Sequence, residues 1–218
     1  MNAFYNTCEV SRFLLQINAI KLNVENPFTW ASGLRAPIYC DNRRILSFPE
    51  IRDYMARLMV EKVQQNYQEA NLIAGVATGA IAMGVLVADK LRLPFVYVRS
   101  GSKTHGLGAR IEGHVAKGQN AVVVEDLVST AQSSLAAVEV LREAGIHVNG
   151  MISIFTYGLR QAEENLREAG CTLHSLSNYD KLLQTIQYEK RFSDREMKAL
   201  TEWRIDPLRW SDERQKKN

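Results

Sequence analysis

Cysteine is scarce in this chain. Cys8, Cys40 and Cys171 stand far apart, are odd in number and form no CxxC pair. That pattern excludes a disulfide framework and a zinc knuckle, and it fits a reducing compartment. The four histidines, His105, His114, His147 and His174, share no ligand spacing. A charge excess is also missing: 27 basic against 24 acidic residues leave a net +3, too mild for a nucleic-acid surface. No apolar run is long enough for a bilayer, since the longest, Gly75 to Ala88, stops at Asp89-Lys90. The opening residues carry Glu9 and Arg12 inside their only apolar stretch and have no basic leader, so no signal peptide is expected. Internal repeats and low-complexity linkers are absent as well. These absences lead us to expect a cytoplasmic protein without membrane or nucleic acid as partner. Its 218 residues, 46% apolar, suffice for one α/β domain with an appendage.

The chain is organised around Ala121 to Ser134, AVVVEDLVSTAQSS. Val122, Val123 and Val124 are β-branched and uniformly apolar, as in a strand buried on both faces of a parallel sheet. Glu125 and Asp126 follow where that strand is expected to end. Leu127 and Val128 lead to Ser129, Thr130, Ser133 and Ser134, around Ala131 and Gln132, and then to a helical pattern over Leu135–Ala144. A strand, a hydroxyl-rich loop and a helix N-terminus make a phosphate site, because loop N–H groups and the positive end of the helix dipole face the anion. The acids would repel a phosphate. Two carboxylates beside a phosphate cradle suit the vicinal hydroxyls of a ribose. No Gly-Lys-Ser/Thr and no GxGxxG is present, so this is neither a Walker loop nor a dinucleotide fingerprint. The bland alternative is an ordinary strand-to-helix connection with surface acids.

Along the rest of the chain, residues 8–22 place apolar side chains at helical spacing. Pro27 to Arg43, PFTWASGLRAPIYCDNR, reads as short extended segments turning at Ser32-Gly33 and Ala36-Pro37. Ser47 with Glu50 has the form of a capping box before a helix to about Tyr67. LIAGV, Leu72 to Val76, is a strand that ends in the small-residue turn Ala77-Thr78-Gly79-Ala80 before a helix over 81–91. That is a second strand–loop–helix and a second possible anion pocket. FVYVR, Phe95 to Arg99, is the next strand. The glycine-rich segment 100–113 after it has little to bury and is expected to be mobile when empty. Strands around MISIF and 171–175 and helices over 158–169 and 179–188 complete the alternation. A second capping box, Ser193 to Glu196, precedes Met197–Trp203, and the polar end from Ser211 is expected to fray. Repeated β–α units predict a parallel sheet with helices on both faces.

The stretch 122–134 resembles the phosphoribosyl diphosphate (PRPP) motif of the type I phosphoribosyltransferases: apolar strand, two acids, two apolar residues, then a hydroxyl-rich loop. It departs from the family where glycine is usual, at Ala131 and Gln132. Arg99, Lys103, His105 and Gly106 match the family's catalytic loop in order and spacing, with Ser100 in place of a second lysine. The segment FTWASG…PIYCDNR resembles the N-terminal hood of orotate phosphoribosyltransferases, in which the hood closes over the pyrimidine.

The resemblance covers essentially the whole chain. It implies a type I phosphoribosyltransferase-like α/β fold, a parallel sheet flanked by helices, with an N-terminal helix and hood over 1–46, a PRPP-binding core over 47–178 and a helical tail over 179–218, compact as one domain. It implies transfer of the phosphoribosyl group from PRPP to orotate, giving orotidine 5′-monophosphate and diphosphate, with Mg²⁺ held mainly by PRPP and water rather than by protein ligands. Lys103, Arg99 and His105 would stabilise the leaving diphosphate, Glu125 and Asp126 would orient the ribose, and 129–133 would hold the 5′-phosphate. The PRPP contacts would thus run through Glu125, Asp126, Leu127, Val128, Ser129, Thr130, Ala131, Gln132 and Ser133. Ser129 would also reach orotate. Tyr39 is a stacking candidate, and Arg35 or Arg43 a partner for the orotate carboxylate. A homodimer with sites shared between subunits is implied too. Two alternatives are a purine or xanthine phosphoribosyltransferase, which would not share the hood, and a non-catalytic PRPP-binding regulator, which would usually lose the loop lysine.

Overall fold

The computed structural model describes residues 3–99 and 110–215. In chain order the elements are α1 (Ala3–Gln16), β1 (Ile20–Leu22), β2 (Phe28–Thr29), β3 (Arg35–Ala36), β4 (Ile38–Cys40), a 3-10 helix (Asn42–Ser47), α2 (Pro49–Asn66), β5 (Leu72–Val76), α3 (Ile81–Leu91), β6 (Phe95–Val98), β7 (Ile111–Glu112), β8 (Asn120–Val128), α4 (Gln132–Glu143), β9 (His147–Thr156), α5 (Arg160–Glu168), β10 (Leu173–Asn178), α6 (Tyr179–Tyr188), α7 (Asp194–Ile205) and α8 (Pro207–Gln215). They fall into two compact units, residues 1–45 with 177–218, and residues 46–176.

The first unit joins the N-terminal segment to the tail. The expected helix over 8–22 ends early, at Gln16, because Asn18 turns left-handed at φ 55° and Ile20–Leu22 becomes a strand paired with Ile38–Cys40. Asparagine tolerates that conformation better than most residues, so it is a natural stop. Phe28–Thr29 and Arg35–Ala36 form a hairpin closed by Trp30 and Leu34, with turns where Ser32-Gly33 and Ala36-Pro37 predict them. Trp203, fully buried, lies 5.7 Å edge-on from Trp30 and 5.1 Å from Tyr179. The tail does not fray at Ser211. It runs as α8 to Gln215, with Trp210 and Ser211 buried and the Ser211 hydroxyl accepting from the Arg35 N–H at 3.0 Å.

The second unit is built on a sheet of order β10-β9-β8-β5-β6-β7. β6, β5, β8 and β9 run parallel, and β7 pairs antiparallel with β6 at the edge. Ala121 to Val124 are fully buried in the middle of this sheet, which is why the run is uniformly apolar. Leu72, Val96, Val138, Leu141 and Met151 belong to the same core. Truncating a side chain such as Leu141 to alanine costs about 2–5 kcal/mol.

From β5 the chain steps to β6 on one side, and β8 lies on the other side of β5 and leads outward to β9. The strand order therefore reverses between β5 and β8. The crevice outside the carboxyl ends of strands at such a switch point is where open α/β sheets bind ligands.

The capping box expected at Ser47 does not form. The 3-10 helix already uses Ser47, so the N-cap moves to Phe48 (φ −120°, ψ 91°), which gives no side-chain hydrogen bond. Glu50 then sits one position too early to reach back. The box at Ser193 does form: its hydroxyl accepts from the Glu196 N–H, and the Glu196 carboxylate accepts from the Ser193 N–H.

Candidate active site

β8 is longer than the sequence suggests. Instead of ending at Val124 it pairs on with β9 through Glu125–Ser153, Leu127–Phe155 and Val128–Thr156. The ten-residue β9 supplies ladder partners that override the poor strand preference of Glu and Asp. Consecutive strand residues face opposite sides, so the two acids part company. Glu125 is 5% exposed. Its carboxyl accepts from the Ser134 hydroxyl at 2.8 Å and from the Asp126 N–H at 3.0 Å. Asp126 is only partly buried, and its carboxylate lies over the β5–α3 turn: a Cβ on Gly79 would come within 2.4 Å of it. The small residue in that turn is thus what lets this carboxylate sit at the switch point.

Burial, and then the neighbouring Asp126 carboxylate, push the Glu125 carboxyl up to about 8. The two hydrogen bonds it accepts act the other way and do not offset these effects.

Past Val128 the chain needs only Ser129, Thr130 and Ala131 to reach α4. Val128 is fixed by its carbonyl, which accepts from the Tyr157 N–H at 3.1 Å and the Thr156 hydroxyl at 3.2 Å. The Thr130 carbonyl accepts from the Asn165 amide of α5 at 2.8 Å. Ala131 is the N-cap residue of α4 and is left-handed (φ 65°, ψ 0°), with no side-chain cap on the helix. This is where the family resemblance puts glycine. The cost of a Cβ in that conformation is about 1–2 kcal/mol. Gln132 and Ser133 are exposed in the first turn of α4, while Ser134 is buried beneath it. The structure thus brings Glu125, Asp126, Leu127, Val128, Ser129, Thr130, Ala131, Gln132 and Ser133 together at the switch point. Ser134, read in the sequence as part of the hydroxyl series, turns inward to Glu125 instead, and neither type nor spacing marks Asn165, which acts through the tertiary fold.

Arg99 follows β6 at the same edge of the sheet. Its N–H donates to the Arg110 carbonyl at 2.9 Å, and its guanidinium pairs with Glu112 at 3.0 Å. Lys103, His105 and the rest of 100–109 lie outside the described residues. Tyr39 belongs to the first unit, 40% exposed, with its ring 5.8 Å from Phe28. In the same unit Arg43 is gripped by the Asp41 carboxylate at 2.6 and 3.1 Å, and that hydrogen bonding holds Asp41 below its ordinary range. Among the described residues no group of three or more His, Cys, Asp or Glu could hold a metal ion, and no helix is long and apolar enough to cross a membrane.

Known proteins sharpen this picture. Residues 41–175 match the family model described as the phosphoribosyl transferase domain. An orotate phosphoribosyltransferase of Listeria monocytogenes is 47% identical over 202 residues, spanning 93% of this chain and 97% of that one. Its counterpart in Cytophaga hutchinsonii is 48% identical over 204 residues, 94% and 98% of the two chains. Among solved structures, the crystal structure of orotate phosphoribosyltransferase from Aeropyrum pernix superposes with a TM-score of 0.73 at 29% identity, covering 82% of this chain and 98% of that one.

Proposed function

The chain belongs to the phosphoribosyltransferase family, among its orotate phosphoribosyltransferases, and we propose that it transfers the phosphoribosyl group of PRPP to orotate, giving orotidine 5′-monophosphate and diphosphate in pyrimidine nucleotide synthesis. The observation that carries this reading is the switch point itself: one partly exposed carboxylate, Asp126, stands beside a short hydroxyl-bearing loop and an uncapped helix N-terminus. The loop N–H groups and the hydroxyls of Ser129, Thr130 and Ser133 suit a 5′-phosphate, and the first-turn dipole of α4 adds attraction for the anion. Asp126 accepts from ribose hydroxyls, a charge-assisted interaction.

Substitution at the ribose C1 passes through an oxocarbenium-like state, as in other glycosyl transfers. The chain's work is placement and charge. Arg99, Lys103 and His105 face the diphosphate as it gains negative charge, so they stabilise the transition state more than the ground state. Arg99 must then exchange its Glu112 partner for the substrate. Ser129 reaches toward orotate, and the hood contributes Tyr39 for stacking and Arg35 for the orotate carboxylate; Arg43 is already occupied by Asp41. A Mg²⁺ would be held mainly by PRPP oxygens and water rather than by protein ligands. That ion, when bound, neutralises part of the leaving-group charge. The three free cysteines accord with a cytoplasmic setting.

The direct test is loss of orotate absorbance on adding PRPP and Mg²⁺. Orotate is expected to be consumed only with PRPP present; a protein inert to orotate but active on a purine base would overturn the reading. The catalytic unit is a two-fold dimer in which Lys103 of one subunit serves the Asp126 site of its partner. Mixing inactive Lys103→Ala and Asp126→Asn homodimers should restore about a quarter of wild-type activity after random exchange, and none if each site lies within one chain.

A further inference from the structure

The loop from Ser129 to Ala131 has a carbonyl tied down at each end. At its entry the Val128 carbonyl accepts from the Thr156 hydroxyl and the Tyr157 N–H. At its exit the Thr130 carbonyl accepts from the Asn165 side-chain amide at 2.8 Å. A trans peptide is planar, with its C=O and N–H pointing opposite ways. The Val128 carbonyl shares its plane with the Ser129 N–H, and the Thr130 carbonyl shares its plane with the Ala131 N–H. Holding the carbonyls toward the end of β9 and toward α5 therefore turns these two N–H groups the other way. Among the described residues neither N–H donates to another part of the chain, although Ala131 is only 3% exposed. Backbone donors at buried residues nearly always have a partner, so the Ala131 N–H is a donor kept for a ligand.

Asn165 is held firmly enough to set that direction. It lies on α5, which buries Ala162 and Leu166. One turn earlier the Gln161 amide donates to the Asn165 Oδ1 at 3.0 Å. That bond occupies the acceptor end of the Asn165 amide and leaves its Nδ2 for Thr130. Ala131 makes such a brace necessary. Its φ of 65° is disfavoured by its own Cβ, and relaxation to the right-handed region would swing the Thr130–Ala131 peptide round and carry the N–H with it.

We propose that Asn165 is a positioning residue for the phosphate loop: it holds the Thr130–Ala131 peptide so that the Ala131 N–H faces the 5′-phosphate of PRPP. This deepens the reading of the site as a PRPP pocket and rests on it. Asn165 touches no reacting atom. The 5′-phosphate keeps its charge throughout the transfer, so the brace strengthens ground-state and transition-state binding alike, and its loss shows in KM rather than kcat.

Asn165→Leu keeps the size of the side chain and removes the donor. KM for PRPP, and Kd for ribose 5-phosphate by titration calorimetry, should rise about three- to tenfold, the range for one hydrogen bond. Both kcat and the orotate KM should stay within about twofold of wild type. Asn165→Asp has the same shape but sets an acceptor against the Thr130 carbonyl, and should cost about tenfold or more. Arg142→Ala is the control for a loosened helix. Arg142 ties α4 to the far end of α5 through the Ala169 and Gly170 carbonyls, at 2.8 and 3.3 Å, and its loss should leave the PRPP KM unchanged. Wild-type KM in both Asn165 variants, an equal rise in Arg142→Ala, or a fall in kcat at constant KM would overturn the proposal. Nitrogen-15 NMR of the ligand-free protein gives a readout independent of substrate. The Ala131 amide shares its peptide with the Thr130 carbonyl, so its resonance should move upfield in Asn165→Leu and hold still in Arg142→Ala. An unmoved Ala131 resonance in Asn165→Leu would refute the brace. If wild type binds neither PRPP nor ribose 5-phosphate, the PRPP reading fails and the proposal with it; if wild type binds them and the variants bind equally well, the proposal alone fails.

Discussion

The helices of the two units begin in different ways. In the tail, α6 is capped by the Asn178 side-chain amide oxygen, α7 by the Ser193 hydroxyl and α8 by the Asp206 carboxylate, each accepting from a backbone N–H in the first turn. In the core, α2, α3, α4 and α5 have Phe48, Ala80, Ala131 and Leu159 at that position, and none makes a side-chain cap. A cap satisfies donors that a helix otherwise leaves open, and is worth about 1 kcal/mol. The tail takes that stability locally. The core forgoes it, and at α3 and α4 the open ends lie where β5 and β8 finish, beside Asp126. The difference teaches that an uncapped helix can be a feature: donors not spent on the chain remain available to an anion.

The contrast can be attacked most directly by giving α4 a cap of its own. Ala131→Asp places an acceptor and a negative charge among the open N–H groups, and aspartate tolerates the left-handed backbone better than alanine does. PRPP affinity by calorimetry should drop by on the order of 10²-fold, the loss of more than one charge-assisted hydrogen bond; unchanged affinity would mean that the anion does not use this helix. Next in size are changes to the acid beside it. Asp126→Asn should lower kcat/KM by about tenfold or more. Gly79→Ala should do much the same, because the new Cβ displaces the Asp126 carboxylate. Wild-type kinetics in Gly79→Ala would show that this carboxylate has no fixed task. On the capped side the expectation is reversed: Ser193→Ala should cost about 1 kcal/mol in urea denaturation and leave kcat and KM alone. A kinetic defect there would erase the division of labour. The smallest effect is Ala131→Gly, which relieves the left-handed Cβ and should stabilise the protein by about 0.4–1 kcal/mol net of the added chain entropy. No gain would mean that the loop has already absorbed the strain.

Much of the core was readable because its signals are local. Three consecutive valines, a small-residue turn and a hydroxyl series fall where β8, the β5–α3 turn and the α4 loop lie. The hood strands were equally visible from their glycine and proline turns. Other features depended on partners far away in sequence. Nothing near Glu125 says that β9 will extend the strand past it, and so the inward turn of that acid was not legible. Ser47 and Ser193 offer the same box, yet only the second forms, because a 3-10 helix runs into the first. The stop at Asn18 and the helical continuation through Ser211 have the same origin: strand pairing with β4 in one case, burial of Trp210 and Ser211 in the other. Tyr39 stands out in the sequence by type alone, and its neighbours within the first unit, Phe28 among them, do not by themselves assign it a ligand.

The distribution of aromatic residues has an optical consequence. All three tryptophans, Trp30, Trp203 and Trp210, belong to the first unit, and the sheet-bearing unit has none. Trp203 is fully buried among rings, and the Arg214 guanidinium sits 3.6 Å above Trp210. Excitation near the red edge of the protein band therefore lights only the hood and tail, while the far-ultraviolet dichroism of the backbone, with helices in both units, reports on both. The chain thus carries a built-in pair of probes for cooperativity. Coincident denaturation curves from the two signals would mean that hood and core unfold as one, and separated curves would measure the stability of each in the same cuvette.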